Sequence, residues 1–421
     1  MSATSPGQVR VAYLVSKYPA LSHTFIEREI LGLRKQGIDV TTFSVRPCPE
    51  SELSSATMRG EARRTRSIIG APKWQWVRAH AGLLRRRSDV WTKGLRTALS
   101  TGRLEPKSRL WQLFYFGEAV VLYDFMRRDS LRHVHVHMAN VAADVARLVT
   151  ILGEAEDGPG SGWRWSLTVH GPGEFEMVEQ WDVPAKLRSA SGVSVISDFG
   201  RSQLMRLVEP EHWGKMCKVR MTVDPDRFAP LSGSREARTG PLRVLYVGRL
   251  VPQKGGPVLV EALAQLRDQG VEAVARLVGA GELQESLECQ ISALGLEDRI
   301  ELVGPVGQDD ILEQYAWADV FVLPSFQEGL PVVLMEAMAT ELPVVTTQIA
   351  AVSELVAEGV SGRVVHAGRP DLVAAALVEL ATDPSLRQKF GRLGREAVVA
   401  DFTPRSASPV MAEFVRSVQQ A

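Results

Sequence analysis

Cysteine is scarce in this 421-residue chain: Cys48, Cys217 and Cys289 are its three cysteines, far apart and without CxxC spacing. Neither a disulfide framework nor a zinc site is signalled, and a reducing cytoplasm fits. Net charge is missing too, with 49 Lys plus Arg against 49 Asp plus Glu. That balance gives no ground for a nucleic-acid partner, although local patches still count. No uninterrupted apolar run reaches the roughly 18 residues of a membrane span; the nearest is broken by Glu336 and Glu341, so no transmembrane helix is expected. The polar start, MSATSPGQVR, leads only into the short apolar VAYLVS, too brief for a secretory signal, and no signal peptide is expected. With 45% hydrophobic residues the chain can bury full cores, and its length allows two or three domains.

The chemistry concentrates between Pro241 and Val365. DVFVLPS reads as a buried parallel strand, and the loop after it carries Glu328 and Gly329. Pro331 is expected at the first helical position, where its missing N–H leaves no partner wanting and the amides around Gly329 and Leu330 face an anion or hydroxyl. Glu336 then falls about a turn and a half into the helix, leaning back toward the same cleft as Glu328. LRVLYVGRLVPQKGG reads as a strand, a loop and a helix start, with Arg249 and Lys254 on the loop. In open parallel α/β sheets such strand-end loops hold ligands. A guanidinium beside an ammonium suits a diphosphate, and carboxylates accept hydrogen bonds from sugar hydroxyls. The combination describes a nucleoside diphosphate-sugar. Singly, each residue reads as a solvated surface charge; the ordered set on successive loops is what a purely structural domain does not need.

At these residues the chain resembles the nucleotide-binding half of family-4 retaining glycosyltransferases of the GT-B fold. VGRLVPQKG, GAGEL, LGLEDRIELVGPV, YAWADVFVLPS, EGLPVVLMEAMA and SELVAEGVSGRVV occur in the family's order. The resemblance implies that Arg249 and Lys254 hold the donor diphosphate, Glu336 the ribose hydroxyls, and Glu328 with the amides at Gly329 and Leu330 the donor sugar. It further implies an α/β architecture of two Rossmann-like domains facing across a cleft. An acceptor-binding domain is expected over 1–236, a nucleotide-sugar domain over 237–401, and a crossover helix over 402–421 that packs back on the first. LSGSREARTGP is read as the linker. Departures from the family pattern are Glu341 in place of a glycine before LPVV, Ala350 and Ala351 in place of a Gly-Gly pair, and Met221 and Thr222 in place of Asn-Gly.

In the first half, Thr24 and Glu27 have capping-box spacing ahead of an apolar face of Ile26, Ile30, Leu31 and Leu33, and DVTTFSVRP follows as a second strand. YPALSHTFIEREI resembles the signature of the exopolysaccharide-building branch, with His23 where that branch has an acidic residue. Residues 59–111 hold fourteen Lys or Arg against Glu61, Asp89 and Glu105, interleaved with Trp74, Trp76, Trp91 and Trp111. Two readings stay open: amphipathic helices for an anionic bilayer surface, or a solvated helical face with the tryptophans packed inward. Alternation puts His133, His135 and His137 on one strand face, yet no acidic residue or cysteine lies nearby in sequence to complete a metal site, and only His137 is placed near the cleft. His170 ends another apolar strand, and the resemblance gives it the role of facing the donor sugar. Asp224 and Asp226 form a DxD that is read as family-like VDPDRF, not as a metal site, because Arg227 competes with a cation.

Together these point to a cytoplasmic enzyme, peripheral on the inner face of the membrane through 59–111. It moves a sugar from a nucleoside diphosphate donor to a saccharide or lipid-linked acceptor with retention. No cofactor and no metal is expected, since Arg249 and Lys254 stabilise the departing diphosphate. The rivals are a nucleotide-sugar epimerase, which shares this fold, and a donor-binding assembly subunit without turnover.

Overall fold

The apolar runs of the sequence become short parallel strands in the computed structural model, which describes residues 9–20, 24–53, 55–101, 106–230 and 240–420. β1 (Arg10–Lys17), β2 (Asp39–Arg46), β3 (Arg66–Ser67), β4 (His133–His137), β5 (Arg164–Val169), β6 (Gly192–Val195) and β7 (Met216–Lys218) make one sheet. Among the described residues its order is β3-β2-β1-β4-β5-β6-β7, parallel throughout. The second sheet takes β8 (Leu242–Val247), β9 (Ala273–Val278), β10 (Ile300–Gly304), β11 (Val320–Leu323), β12 (Val344–Thr347) and β13 (Gly362–Val365). Its order, β10-β9-β8-β11-β12-β13, is again all parallel. Parallel strands need helical crossovers that cover both faces, which is why central strands such as β1, β8 and β11 are near-continuous apolar runs. In each sheet the order reverses once, between β1 and β4 and between β8 and β11.

The chain forms two compact units, Met1–Val219 with Ser408–Ala421, and Arg220–Ala407. The last helix, Pro404–Gln420, starts in the second unit and from Ser408 belongs to the first. There Met411, Ala412 and Val415 are fully buried, and a Cβ on Gly192 would meet Val418 and Phe414. The division falls at Val219 rather than at 236 because VDPDRF is bonded into the second unit. Arg395 donates to the carbonyls of Pro225 and Phe228, both at 3.2 Å, and Val223 N donates to Phe402 O at 2.9 Å. Residues 231–239, most of the expected linker, lie outside the described residues, as do His23 and Glu105.

The helix carrying Thr24 and Glu27 runs Thr24–Lys35, and the residues just before it, 21–23, lie outside the described residues. Ile26, Ile30 and Leu33 are buried as the periodicity requires, while Leu31 is only half-buried. The basic segment folds as helices Ala56–Arg64, Lys73–Arg86 and Ser88–Ser100, followed by the long helix Pro106–Arg128. Its tryptophans divide: Trp76 and Trp91 pack against the core, whereas Trp74 and Trp111 are 58% and 46% exposed. No described helix is long and apolar enough to cross a membrane.

Candidate active site

At the reversal of the second sheet, the loops after β8 and β11 are locked to each other by backbone. Phe326 N donates to Gln253 O at 2.8 Å, and Gly255, at φ +68°, lies so close to Pro324 that a Cβ would sit 2.0 Å from its carbonyl oxygen. The loop after β8 is equally tied to the GAGEL loop, with Leu250 N on Ala280 O at 3.0 Å. Gly279 has φ +139° and abuts Gly248 O, which excludes any side chain there. On this frame Lys254 Nζ meets Glu328 Oε1 at 2.6 Å, and Ser325 Oγ donates to the same oxygen at 2.8 Å. Tyr246 draws Arg249 into the group: its hydroxyl donates to Arg249 O at 3.1 Å. Burial pushes that phenol well above its usual range, with the Glu328 carboxylate adding to the shift and the Arg249 guanidinium opposing it. Arg249, Lys254 and Glu328 are therefore brought together, although Lys254 and Glu328 bond each other where the sequence reading assigned them separately to diphosphate and sugar. Pro331 stands just before the helix Val332–Ala339 and not at its first position, a shift of one residue. Leu330 is buried beside it, and Glu336, on the helix, accepts from Tyr315 OH at 3.0 Å.

The reversal of the first sheet carries imidazole rings. His133 and His135 both face Ser166 Oγ, at 2.7 and 2.8 Å, and His135 Nε2 meets Thr168 Oγ1 at 3.0 Å. Burial drives the His133 imidazole down to about 3 and His135 well below its usual range, so both are uncharged rungs between strands. His137 Nδ1 lies 2.9 Å from His170 Nε2, and His137 Nε2 lies 3.1 Å from Glu29 Oε1. Glu29, 108 positions from His137, is the acidic partner that the sequence around the histidines lacks. Glu29, His135 and His137 offer ligand atoms within 4.8 Å of one another. Every ring nitrogen of His135 and His137 is already hydrogen-bonded, however, so a cation would have to displace a partner for each histidine ligand it gained. Asp224 serves its own turn: its Oδ1 accepts from Asp226 N and Arg227 N at 3.1 and 3.3 Å.

Residues 231–397 match the family described as glycosyl transferases group 1. That match takes in the second sheet and its loops, and is a likeness of this part of the chain to that family. The chain is 34% identical to the amylovoran biosynthesis glycosyltransferase AmsK of Erwinia amylovora over 48% of this chain and 50% of that one. It is 28% identical to the putative colanic acid biosynthesis glycosyltransferase WcaL of Escherichia coli K12 over 97% of this chain and 100% of that one. The chain thus spans about half the length of the Erwinia relative and all of the Escherichia one. Solved structures share the fold: sucrose-phosphate synthase from Thermosynechococcus elongatus has a TM-score of 0.72 at 19% identity, covering 98% of this chain and 99% of that one. Anabaena Alr3699/HepE in complex with UDP has a TM-score of 0.70 at 16% identity, covering 97% and 100%. The architecture is that of GT-B glycosyltransferases.

Two carboxylates of the first unit escaped the sequence reading. Glu29 has no local signal. Glu174 had one, because it is the third residue of a helix, Pro172–Glu176, that follows Gly171 directly. Its carboxylate accepts from the amides of Ala139, His170 and Gly171 at 2.6, 2.7 and 3.0 Å, clamping the turn that presents His170. Burial raises the Glu174 carboxyl, and those three amides pull it back down.

The family departures also gain a physical meaning. Glu341 and Ala350 adopt φ of +62° and +44°, the left-handed region that glycine enters freely, while Met221 and Thr222 keep negative φ. A left-handed L-residue costs about 1–2 kcal/mol, against roughly 0.5–1 kcal/mol of extra chain entropy lost by glycine. Glu341→Gly and Ala350→Gly are each expected to raise the unfolding free energy by about 0.5–1 kcal/mol. Urea unfolding measures this, and a loss of stability in both variants would refute the conformational account.

Proposed function

We propose that the chain is a retaining glycosyltransferase of bacterial exopolysaccharide assembly, moving a sugar from a nucleoside diphosphate donor to a saccharide or lipid-linked acceptor. The observation that carries it is the Lys254–Glu328 pair across the strand-order reversal, with Arg249 beside it. Such a reversal is where open α/β sheets bind ligands. The relatives named for amylovoran and colanic acid biosynthesis, and the neighbour solved with UDP, support this reading. The epimerase and non-catalytic alternatives draw no support from them. Arg249 and Lys254 neutralise the departing diphosphate, so the reaction runs without a divalent cation, and the departing phosphate oxygen takes the acceptor's proton. Free nucleoside diphosphate should be released only when acceptor is added, at an unchanged rate in chelator. Abolition by EDTA with rescue by manganese would overturn the metal-free route, and release without acceptor would overturn the transfer.

The two glutamates divide the labour. Glu336, held by Tyr315 on its helix, binds the ribose diol equally in ground and transition states, so Glu336→Ala raises the donor KM. Glu328 both meets the transferring sugar and holds Lys254. Losing one charge-assisted hydrogen bond, about 1.5–3 kcal/mol, and the placement of Lys254 lowers turnover of Glu328→Ala roughly 10- to 1000-fold at saturating donor. Full turnover with a raised KM would remove Glu328 from the reacting sugar.

The basic helices dock on the anionic inner membrane surface. Trp74, Val77, Leu110, Trp111 and Phe114 are exposed on the helices Lys73–Arg86 and Pro106–Arg128, and Arg78 stacks over Trp74 at 4.8 Å. Aromatic side chains beside guanidinium groups suit the interface, with about 1 kcal/mol per well-placed basic residue. Sedimentation with phosphatidylglycerol vesicles at low salt should fall as salt rises and fall further in Trp74→Ala/Trp111→Ala. No co-sedimentation at low salt would leave these helices as a solvated face.

A further inference from the structure

From the chain of hydrogen bonds Tyr13–Glu29–His137–His170, we infer that Glu29 and His137 are positioning residues that hold His170 as its Nε2–H tautomer. The inference rests on the reading of His170 as the histidine that faces the donor sugar, but its core can be tested without it. Tyr13 OH donates to Glu29 Oε1 at 2.7 Å, and His137 Nε2 shares that oxygen at 3.1 Å. Burial, reinforced by Glu29, keeps the Tyr13 phenol protonated. An ionised carboxylate only accepts, so the proton between Glu29 and His137 belongs to Nε2 of His137. A neutral imidazole carries one N–H, which makes His137 Nδ1 an acceptor. His170 Nε2, 2.9 Å away, must then supply the hydrogen, and Nδ1 of His170 is left as the acceptor nitrogen.

The ring is fixed as firmly as its proton. His137 stacks on His170 with centroids 5.2 Å apart and 26° between planes, and Phe25 packs on it at 4.8 Å. Glu174 anchors the backbone amide of His170 at 2.7 Å. Backbone, ring and tautomer are thus held by three different elements, the arrangement expected where a ring must present one particular nitrogen. A structural role alone accounts for the packing, but does not require the single carboxylate that breaks the symmetry of the two histidines.

Nitrogen-15 NMR of the histidine rings in the full chain tests it. Wild-type His170 should be one tautomer, protonated at Nε2. Glu29→Met, which removes the acceptor at similar size, should mix the tautomers of His137 and His170, whereas Glu29→Gln, which keeps an oxygen in place, should preserve the wild-type pattern more fully. A proton on Nδ1 of His170 in the wild type, or an unchanged pattern in a folded Glu29→Met, overturns the inference; the wild-type spectrum decides even if that variant does not fold. Turnover of Glu29→Met at saturating donor should fall on the order of 10- to 100-fold more than that of Glu29→Gln, with donor KM little changed. A tautomer shift with full turnover upholds the positioning and removes His170 from the reaction.

Discussion

The reversal of strand order between β8 and β11 is the constraint on which the candidate site depends. Right-handed crossovers from the two central strands run to opposite faces of the sheet, so the loops leaving their carboxyl ends diverge and open a crevice. Lys254 and Glu328 face each other across it with side chains 20% and 7% exposed. An ion pair so far removed from water returns little net stability, because desolvation offsets the Coulomb attraction. Its value is placement: with Ser325 on the same carboxylate oxygen and the loop backbones zipped between Gln253 and Phe326, both charges are oriented in advance. Charges set before a ligand arrives need no reorganisation when charge develops beside them, which is where electrostatic stabilisation draws its strength.

The first sheet reverses in the same way between β1 and β4, yet furnishes the reversal with a different chemistry. His133 and His135 are neutral and bonded to Ser166 and Thr168 of β5, so they stabilise the sheet without adding charge. Only His137 turns toward His170 and Glu29. The two sheets therefore furnish their reversals differently: paired charges in the second, hydrogen-bonded imidazole rings in the first.

How legible this was depends on how local each feature is. The loops bearing Arg249, Lys254 and Glu328, and the helix bearing Glu336, were readable because each motif is a strand end, a turn and a helix start within about a dozen residues. Parallel order followed from strands alternating with helical stretches. Glu29 was not readable, since only the folded sheet brings it to a histidine 108 positions away. The unit boundary was misplaced for the same reason: Arg395 ties down Pro225 and Phe228 from 170 and 167 positions away. The tryptophan-rich helices were ambiguous because amphipathic periodicity cannot say whether a second apolar stripe meets core or solvent, and the fold uses both answers.

Glu341 shows why a strained residue can persist. Its carbonyl oxygen occupies the space of a Cβ on Gly391, 2.0 Å from where that atom would lie, so the turn and the helix Pro384–Asp401 are in backbone contact. The same turn returns its amide to Met338 O at 3.0 Å and leads within three residues into β12, which lies beside β11. Contacts from a helix before it and a helix packed against it determine its path more strongly than the preference of a single φ, worth about 1–2 kcal/mol. The strain is therefore borne by the packing that sets the register of β12 against β11, the strand whose carboxyl end carries Ser325 and Glu328.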